Sequence, residues 1–287
     1  MRWQMGRRSE NIEDRRGMSP AGIGRGAGVG GLGVIAIALV AMFLGVDPSI
    51  ILSGLSPDTG SEPPVARGGP PANDQDTQFV SAVLAETEDT WGDIFGRAGE
   101  RYETPTLVLF SERVESACGL AGSATGPFYC PADRKVYLDT EFFQELDQRF
   151  GAPGDFARAY VIAHEVGHHV QNLLGISSKV SRLQQQSDQV SANRLSVMLE
   201  LQADCLAGVW ARHIHDTQPG VIEEGDIDEG LTAASAVGDD RIQKATRGYV
   251  VPDAFTHGSS QQRQHWFTQG LQAGDINACD TFKAPQR

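Results

Sequence analysis

His164 and His168 stand four residues apart, with Glu165 directly after the first. On an α-helix that spacing leaves the two imidazoles about 40° from eclipsed, so both project from one face. His169 is five residues from His164, about 140° round the helix, and points elsewhere. Two imidazoles converging on one point beside a carboxylate form the HExxH arrangement of metal-assisted hydrolysis: the histidines bind the ion and the glutamate acts as general base. A third ligand is available downstream. Glu200 and Asp204 are again four residues apart, in an apolar stretch containing Leu199, Leu201, Cys205, Leu206, Val209 and Trp210. Two carboxylates on such a helix are costly to bury unless paired or bound to a cation. Ligation by Glu200 removes that cost, and Asp204 can accept the far N–H of a ligand histidine and fix its tautomer. Ion pairing with Arg194 or Arg212 is the alternative role for this pair. The reading is therefore one Zn2+ per chain on His164, His168 and Glu200, with the fourth position left for water, Glu165 as acid and base, and Asp204 behind the metal. Cobalt or manganese would accept the same ligands; an iron oxygenase is not expected on a single HExxH helix.

Two helices must hold these groups. The first is expected over residues 156–174, opened by Asp155 as N-cap after Gly151–Gly154 and closed at Gly175. Val161, Ile162, Val166 and Val170 surround its histidines, so it is a buried helix. The second is expected over residues 191–215. An earlier helix, 76–100, carries Phe79, Val80, Val83, Leu84, Trp91 and Ile94, which suits it to cover a sheet. The predicted fold class is α+β: a small sheet lobe around residues 105–140 packed on a mostly helical remainder.

The chain has 287 residues, 24 basic and 37 acidic, a net charge of −13. That balance argues against nucleic-acid binding, which needs a basic face. The charge is unevenly spread. Residues 1–27 hold six arginines and three acids, +3, residues 28–75 hold one arginine and four acids, −3, and the remainder carries the whole −13. Residues 26–46 lack any charge and contain the apolar run Val34 to Leu44, about 31 Å for 21 helical residues. With arginines before it and Asp47 after it, the positive-inside rule predicts one transmembrane helix with a cytoplasmic N-terminus. A cleaved signal peptide would have a shorter apolar core and a small-x-small site, and Gly45–Ser49 offers none. The expected organisation is a cytoplasmic basic tail at 1–25, a membrane helix at 26–46, a Pro/Gly-rich linker at 47–75 and a catalytic domain at 76–287 outside the cytoplasm. Four cysteines in that setting predict two disulfides, Cys118–Cys130 and Cys205–Cys279.

Several blocks together resemble the bacterial neutral zinc metallopeptidase family: Met1–Gln4, the lone apolar segment, Gly126–Pro131, His164–His169, Glu200–Asp204 and Phe255–Arg263. The helix with a downstream ExxAD is also similar to the wider gluzincin peptidases. The resemblance implies a zincin fold and an envelope peptidase, with the roles of His164, His168, Glu200, Glu165 and Asp204 as above. It also implies an edge strand and a transition-state stabiliser beside the metal. Val136–Asp139 is the expected strand, pairing with an extended substrate. His257 is the expected stabiliser, its alternative role being a hydrogen bond that fixes its loop; Tyr129 is a weaker candidate, otherwise a ring packed beside Cys130. The activity expected is a membrane-anchored zinc endopeptidase acting on extracytoplasmic proteins or peptides. The alternatives are an inactive zinc-binding interaction module and a zinc amidase acting on cell-wall peptides.

Overall fold

Apolar residues at helical spacing organise most of the chain, and a short sheet caps one side of them. The computed structural model describes residues 1–17 and 74–283. In chain order the strands are β1 (Ile12–Asp14), β2 (Thr106–Phe110), β3 (Arg113–Ser116), β4 (Gly119–Gly122), β5 (Phe128–Cys130) and β6 (Lys135–Asp139). The helices are α1 (Gln75–Arg97), α2 (Glu141–Gln148), α3 (Asp155–Leu173), α4 (Ile176–Gln184), α5 (Gln189–Thr217), α6 (Asp226–Ala236), α7 (Asp239–Arg247) and α8 (Ser260–Ala273). This is the expected α+β class, mostly helical with a small mixed sheet.

The sheet runs β1-β2-β6-β5, with β1, β2 and β6 parallel and β5 antiparallel to β6. Its central strands are buried on both faces, and the pleat divides their side chains between two cores. Leu107, Leu109, Val136 and Leu138 face the helices, whereas Val108, Phe110 and Tyr137 pack with Val114 and Cys130 beneath the β3–β4 hairpin. The expected substrate-edge strand, Val136–Asp139, is therefore corrected in part: within β6, Val136 and Tyr137 are paired on both sides, with β2 and β5, whereas Leu138 and Asp139 pair with β2 alone, and the outer strand on this side of the sheet is β5. Both expected disulfides form, Cys118–Cys130 tying the hairpin to β5 and Cys205–Cys279 tying α5 to the C-terminal turn.

The helices approach closely where side chains are smallest. A Cβ built on Gly167 of α3 would lie 3.1 Å from the Ala203 carbonyl oxygen and 3.2 Å from its Cα on α5. Gly208 of α5 and Gly270 of α8 likewise leave no room for a Cβ against the facing backbone. Helix α5 is thus held between α3 and α8, with Trp210 and Phe156 stacked at 5.8 Å on one side. The observed helix starts differ slightly from expectation. Asp188 caps α5 through Ser191 N–H, and α3 begins at Asp155 itself, whose carboxylate accepts Trp3 Nε1–H at 3.0 Å while Glu229 accepts the Phe156 N–H at 3.0 Å.

That contact belongs to a larger correction. Residues 1–16, expected as part of a separate basic tail, share one compact unit with the helices and the rest of the sheet. Trp3 is buried with its ring edge-on to Phe79 at 5.5 Å. Ser9 and Asn11 hydrogen-bond Glu88 at 2.6 and 2.7 Å, and β1 adds to the sheet beside β2. Arg16, almost fully buried, pairs with Asp14 and with Asp74, the N-cap of α1, at 2.6 Å each. Arg2, Arg7, Arg15 and Arg16, read as part of a basic tail, each pair with acids of this unit, and the domain's first helix begins at Gln75. Residues 1–16 of the expected tail 1–25 are therefore part of the domain expected to begin at residue 76. The expected span 26–46 and the linker up to residue 73 lie outside the described residues. Among the described residues no helix is long and apolar enough to cross a membrane.

Candidate metal centre and catalytic cleft

His164 and His168 lie one turn apart on α3, on either side of Gly167, and Glu200 and Asp204 lie one turn apart on α5, on either side of Ala203. The Gly167–Ala203 approach brings the two pairs together. His164 Nε2 is 3.2 Å from Glu200 Oε2, and His168 Nε2 is 3.3 Å from Glu200 Oε1. One ligand atom from each residue falls within 4.8 Å of the others, a set that could hold a metal ion. The far side of each ring is fixed. His164 Nδ1 is 2.9 Å from Asp204 Oδ1. His168 Nδ1 is 2.8 Å from Gln171 Oε1, and the Gln171 amide nitrogen donates to the Leu199 carbonyl at 2.7 Å, which leaves its oxygen for the histidine. Both imidazoles therefore donate from Nδ1 and turn an Nε2 lone pair toward Glu200. Two such nitrogens and one carboxylate are the donor set of a catalytic zinc site with an open position.

Asp204 is a hub with partners that the sequence does not announce. Arg263 of α8 grips it with two hydrogen bonds, Nε to Oδ2 and Nη2 to Oδ1, each 2.9 Å, and Tyr160 donates its hydroxyl to Oδ1. All three side chains are buried. A buried carboxylate with a bidentate guanidinium stays ionised and fixed in direction. The alternative partners of the sequence reading are engaged elsewhere: Arg194 faces Asp253 at 3.6 Å, and Arg212 pairs with Asp216 at 2.7 Å. Gln171, Tyr160 and Arg263 were all missed. Arg263 alone left a trace, as the last residue of the Phe255–Arg263 block to which no role was attached.

Glu165 is buried and lines the same cleft of 750 Å³ as His164, His168, Glu200, Tyr129 and His257. Burial raises its pKa above the ordinary carboxylate value, against the lowering influence of the two neighbouring histidines. Burial would lower His164, yet the Asp204 carboxylate and then Glu200 push it up to about 10. His168 is raised by Glu200 against the same burial, and Glu200 itself is held well below its usual range by His168 and His164 despite desolvation. The site thus favours positive charge where the three donors meet, a place a divalent cation takes by displacing protons.

His257 comes to the cleft from the loop before α8. Its Nδ1 is 3.3 Å from Asp239 Oδ1, while Asp239 Oδ2 accepts the backbone N–H groups of Thr256, His257 and Gly258 at 2.8, 2.6 and 3.0 Å. The loop is fixed by Asp239, not by the imidazole, which is half-exposed at the cleft. The Asp239 hydrogen bond raises the His257 pKa, with Glu200 adding to it and burial and Arg263 opposing it. Tyr129 also reaches the cleft, but its hydroxyl is engaged by His169 and Asn172 at 3.0 Å each. A second cavity, 910 Å³, is lined by α5 and α8 and contains none of the candidate groups.

The residues that build this centre are spread over the chain, and so is its likeness to known proteins. Residues 1–282 match the family described as "Putative neutral zinc metallopeptidase". Uncharacterized protein YpfJ of Escherichia coli K12 is 49% identical over 288 residues, covering 98% of this chain and 99% of that one. Uncharacterized protein Rv2575 of Mycobacterium tuberculosis H37Rv is 45% identical over 259 residues, 85% of each chain. No solved structure matches. A match that starts at the Trp3 segment and runs through both ligand helices to the Arg263 helix takes in every group described above, and the chain belongs to the neutral zinc metallopeptidase family.

Proposed function

We propose that the protein is a zinc endopeptidase acting on proteins or peptides outside the cytoplasm. The observation that carries this reading is the placement of Glu165, His257 and the His164/His168/Glu200 set on one cleft, whose rim is a strand with an unpaired edge among the described residues. Zinc held by those three residues supplies Lewis acidity, to water and to the scissile carbonyl. Asp204 and Gln171 keep both imidazoles in the tautomer that presents Nε2, and Arg263 and Tyr160 keep Asp204 in place. The Glu165 carboxylate takes a proton from the attacking water and passes it to the leaving amine nitrogen; burial raises its affinity for that proton between the two transfers. His257, protonated beside Asp239, donates from Nε2 to the carbonyl oxygen as negative charge develops there. Two disulfides support a location in an oxidising compartment.

The test uses the whole chain. Wild-type protein is expected to bind one zinc and to cleave members of a broad peptide library. Glu165→Gln is expected to keep the zinc while losing on the order of 10³-fold or more in kcat. Full zinc loading of the wild type with no hydrolysis across the library defeats the peptidase reading and favours the interaction module.

A further inference from the structure

His169 follows a candidate ligand directly, is fully buried, and has no part in the chemistry above. Its hydrogen bonds have one consistent assignment. Nε2 lies 2.6 Å from the Glu103 carbonyl oxygen, which can only accept, so Nε2 carries the hydrogen. Nδ1 is then an acceptor, and Tyr129, 3.0 Å away, donates its hydroxyl to it. The Tyr129 oxygen in turn accepts Asn172 Nδ2–H at 3.0 Å. His169 and Asn172 are three apart on α3, so this face of the helix that carries His164 and His168 grips Tyr129 with two directed bonds. The rings reinforce it, with Tyr129 and Tyr102 both edge-on to the imidazole at 5.4 and 5.7 Å.

Tyr129 is the middle residue of β5. Its neighbours are fixed too: Cys130 by the disulfide to Cys118, and Phe128 by stacking on Tyr137 at 4.8 Å. On its inner side β5 pairs with β6; its outer edge has no partner among the described residues, and it borders the cleft of the three candidate ligands. A three-residue edge strand held only by sheet hydrogen bonds would fray. Here its position is referred directly to the helix that bears the histidines.

We propose that His169 is a positioning residue that sets the open edge of β5 at a fixed distance from the metal centre, so that an extended polypeptide adding to that edge presents a backbone carbonyl to Glu165 and His257. The occupant is a peptide long enough to pair along the strand, bound mainly through its backbone. This rests on the peptidase reading above and adds to it what holds the substrate template.

The experiment compares wild type, His169→Phe, Tyr129→Phe and the double variant, all full-length and zinc-loaded. Tyr129→Phe removes one oxygen from a half-buried ring, and so reports even if His169→Phe folds poorly. Zinc content is expected to be unchanged in Tyr129→Phe. Amide hydrogen exchange of residues 126–131 should accelerate, and KM for longer peptides should rise about tenfold with kcat nearly constant. The double variant should lose less than the sum of the two single variants, since both remove the His169–Tyr129 bond while each removes one further bond of its own. Unchanged KM in Tyr129→Phe, or a loss confined to kcat or to zinc content, overturns the assignment while leaving the peptidase reading intact. A zinc-loaded wild type that cleaves nothing overturns both.

Discussion

A histidine that stabilises an oxyanion must carry hydrogen on the nitrogen facing it. His257 Nδ1 faces Asp239 Oδ1 at 3.3 Å and Thr256 Oγ1 at 3.1 Å; with Nδ1–H given to the carboxylate, Nε2 can donate only in the imidazolium form. Asp239 raises the His257 pKa; Glu200 adds to this, and burial and Arg263 oppose it. The donor is present at low pH and is lost as pH rises through the His257 pKa, so His257 sets an alkaline limb of kcat/KM. Asp239→Asn keeps an oxygen for the backbone N–H groups but removes the charge, and is expected to move the alkaline limb to lower pH. His257→Gln should cost about 10²-fold in kcat at neutral pH with zinc retained. An alkaline limb that stays in place in Asp239→Asn, with full kcat in His257→Gln, removes His257 from the reaction. Residues at this scale were legible in the sequence where helical spacing paired them: His164 with His168, and Glu200 with Asp204. Arg263 and Asp239 were not, because their partners lie 59 and 18 residues away and no period links them.

At the scale of elements, the centre depends on how near α5 comes to α3. The Gly167–Ala203 contact lies between the two ligand pairs, and its position sets whether Glu200 reaches both imidazoles. Two effects of Gly167→Ala oppose each other. Alanine favours a helix over glycine by about 1 kcal/mol, whereas overpacking a rigid contact costs about 1–3 kcal/mol. At 3.1 Å from a backbone oxygen the second wins, so net destabilisation is expected, together with roughly tenfold weaker zinc binding as the ligand pairs separate. Gly92 of α1 has nothing within 4 Å of a built Cβ, and Gly92→Ala should stabilise by up to about 1 kcal/mol without touching zinc affinity. Thermal unfolding and zinc titration of the two variants decide the matter; equal behaviour would mean that the helix approach does not tune the centre. The helices themselves were readable from apolar periodicity and glycine boundaries. Edge and interior strands were not distinguished, because β6 acquires its second neighbour from β5, a strand of only three residues with no alternation to read.

For the whole molecule, the charge asymmetry of the sequence invited a division that the fold does not make. Five arginines among the first 16 residues look like a basic flank when counted alone. In three dimensions Arg7 faces Glu88 and Asp89, and Arg16 joins Asp14 to Asp74, so much of that charge is spent inside one domain. Linear charge counts cannot show this, because Glu88, Asp89 and Asp74 lie some 60–80 positions after the arginines they meet. The Arg16–Asp74 pair brings residues that flank the stretch 17–73 to the same place. A catalytic fragment beginning at residue 76 would lack β1, the buried Trp3 and the N-cap of α1, and is expected to be markedly less stable than the full chain. Sidedness can be read directly by single cysteine substitutions at Met5 and Leu120, which are 71% and 70% exposed and lie on either side of the apolar stretch in sequence. A membrane-impermeant maleimide applied to intact cells with a permeabilised outer envelope is expected to label both positions or neither. Labelling of both places the domain outside the cytoplasm, in keeping with its two disulfides. Labelling of Leu120→Cys alone would restore a single crossing between residues 16 and 74, and would mean that the Trp3 segment does not pack on its own domain in the cell.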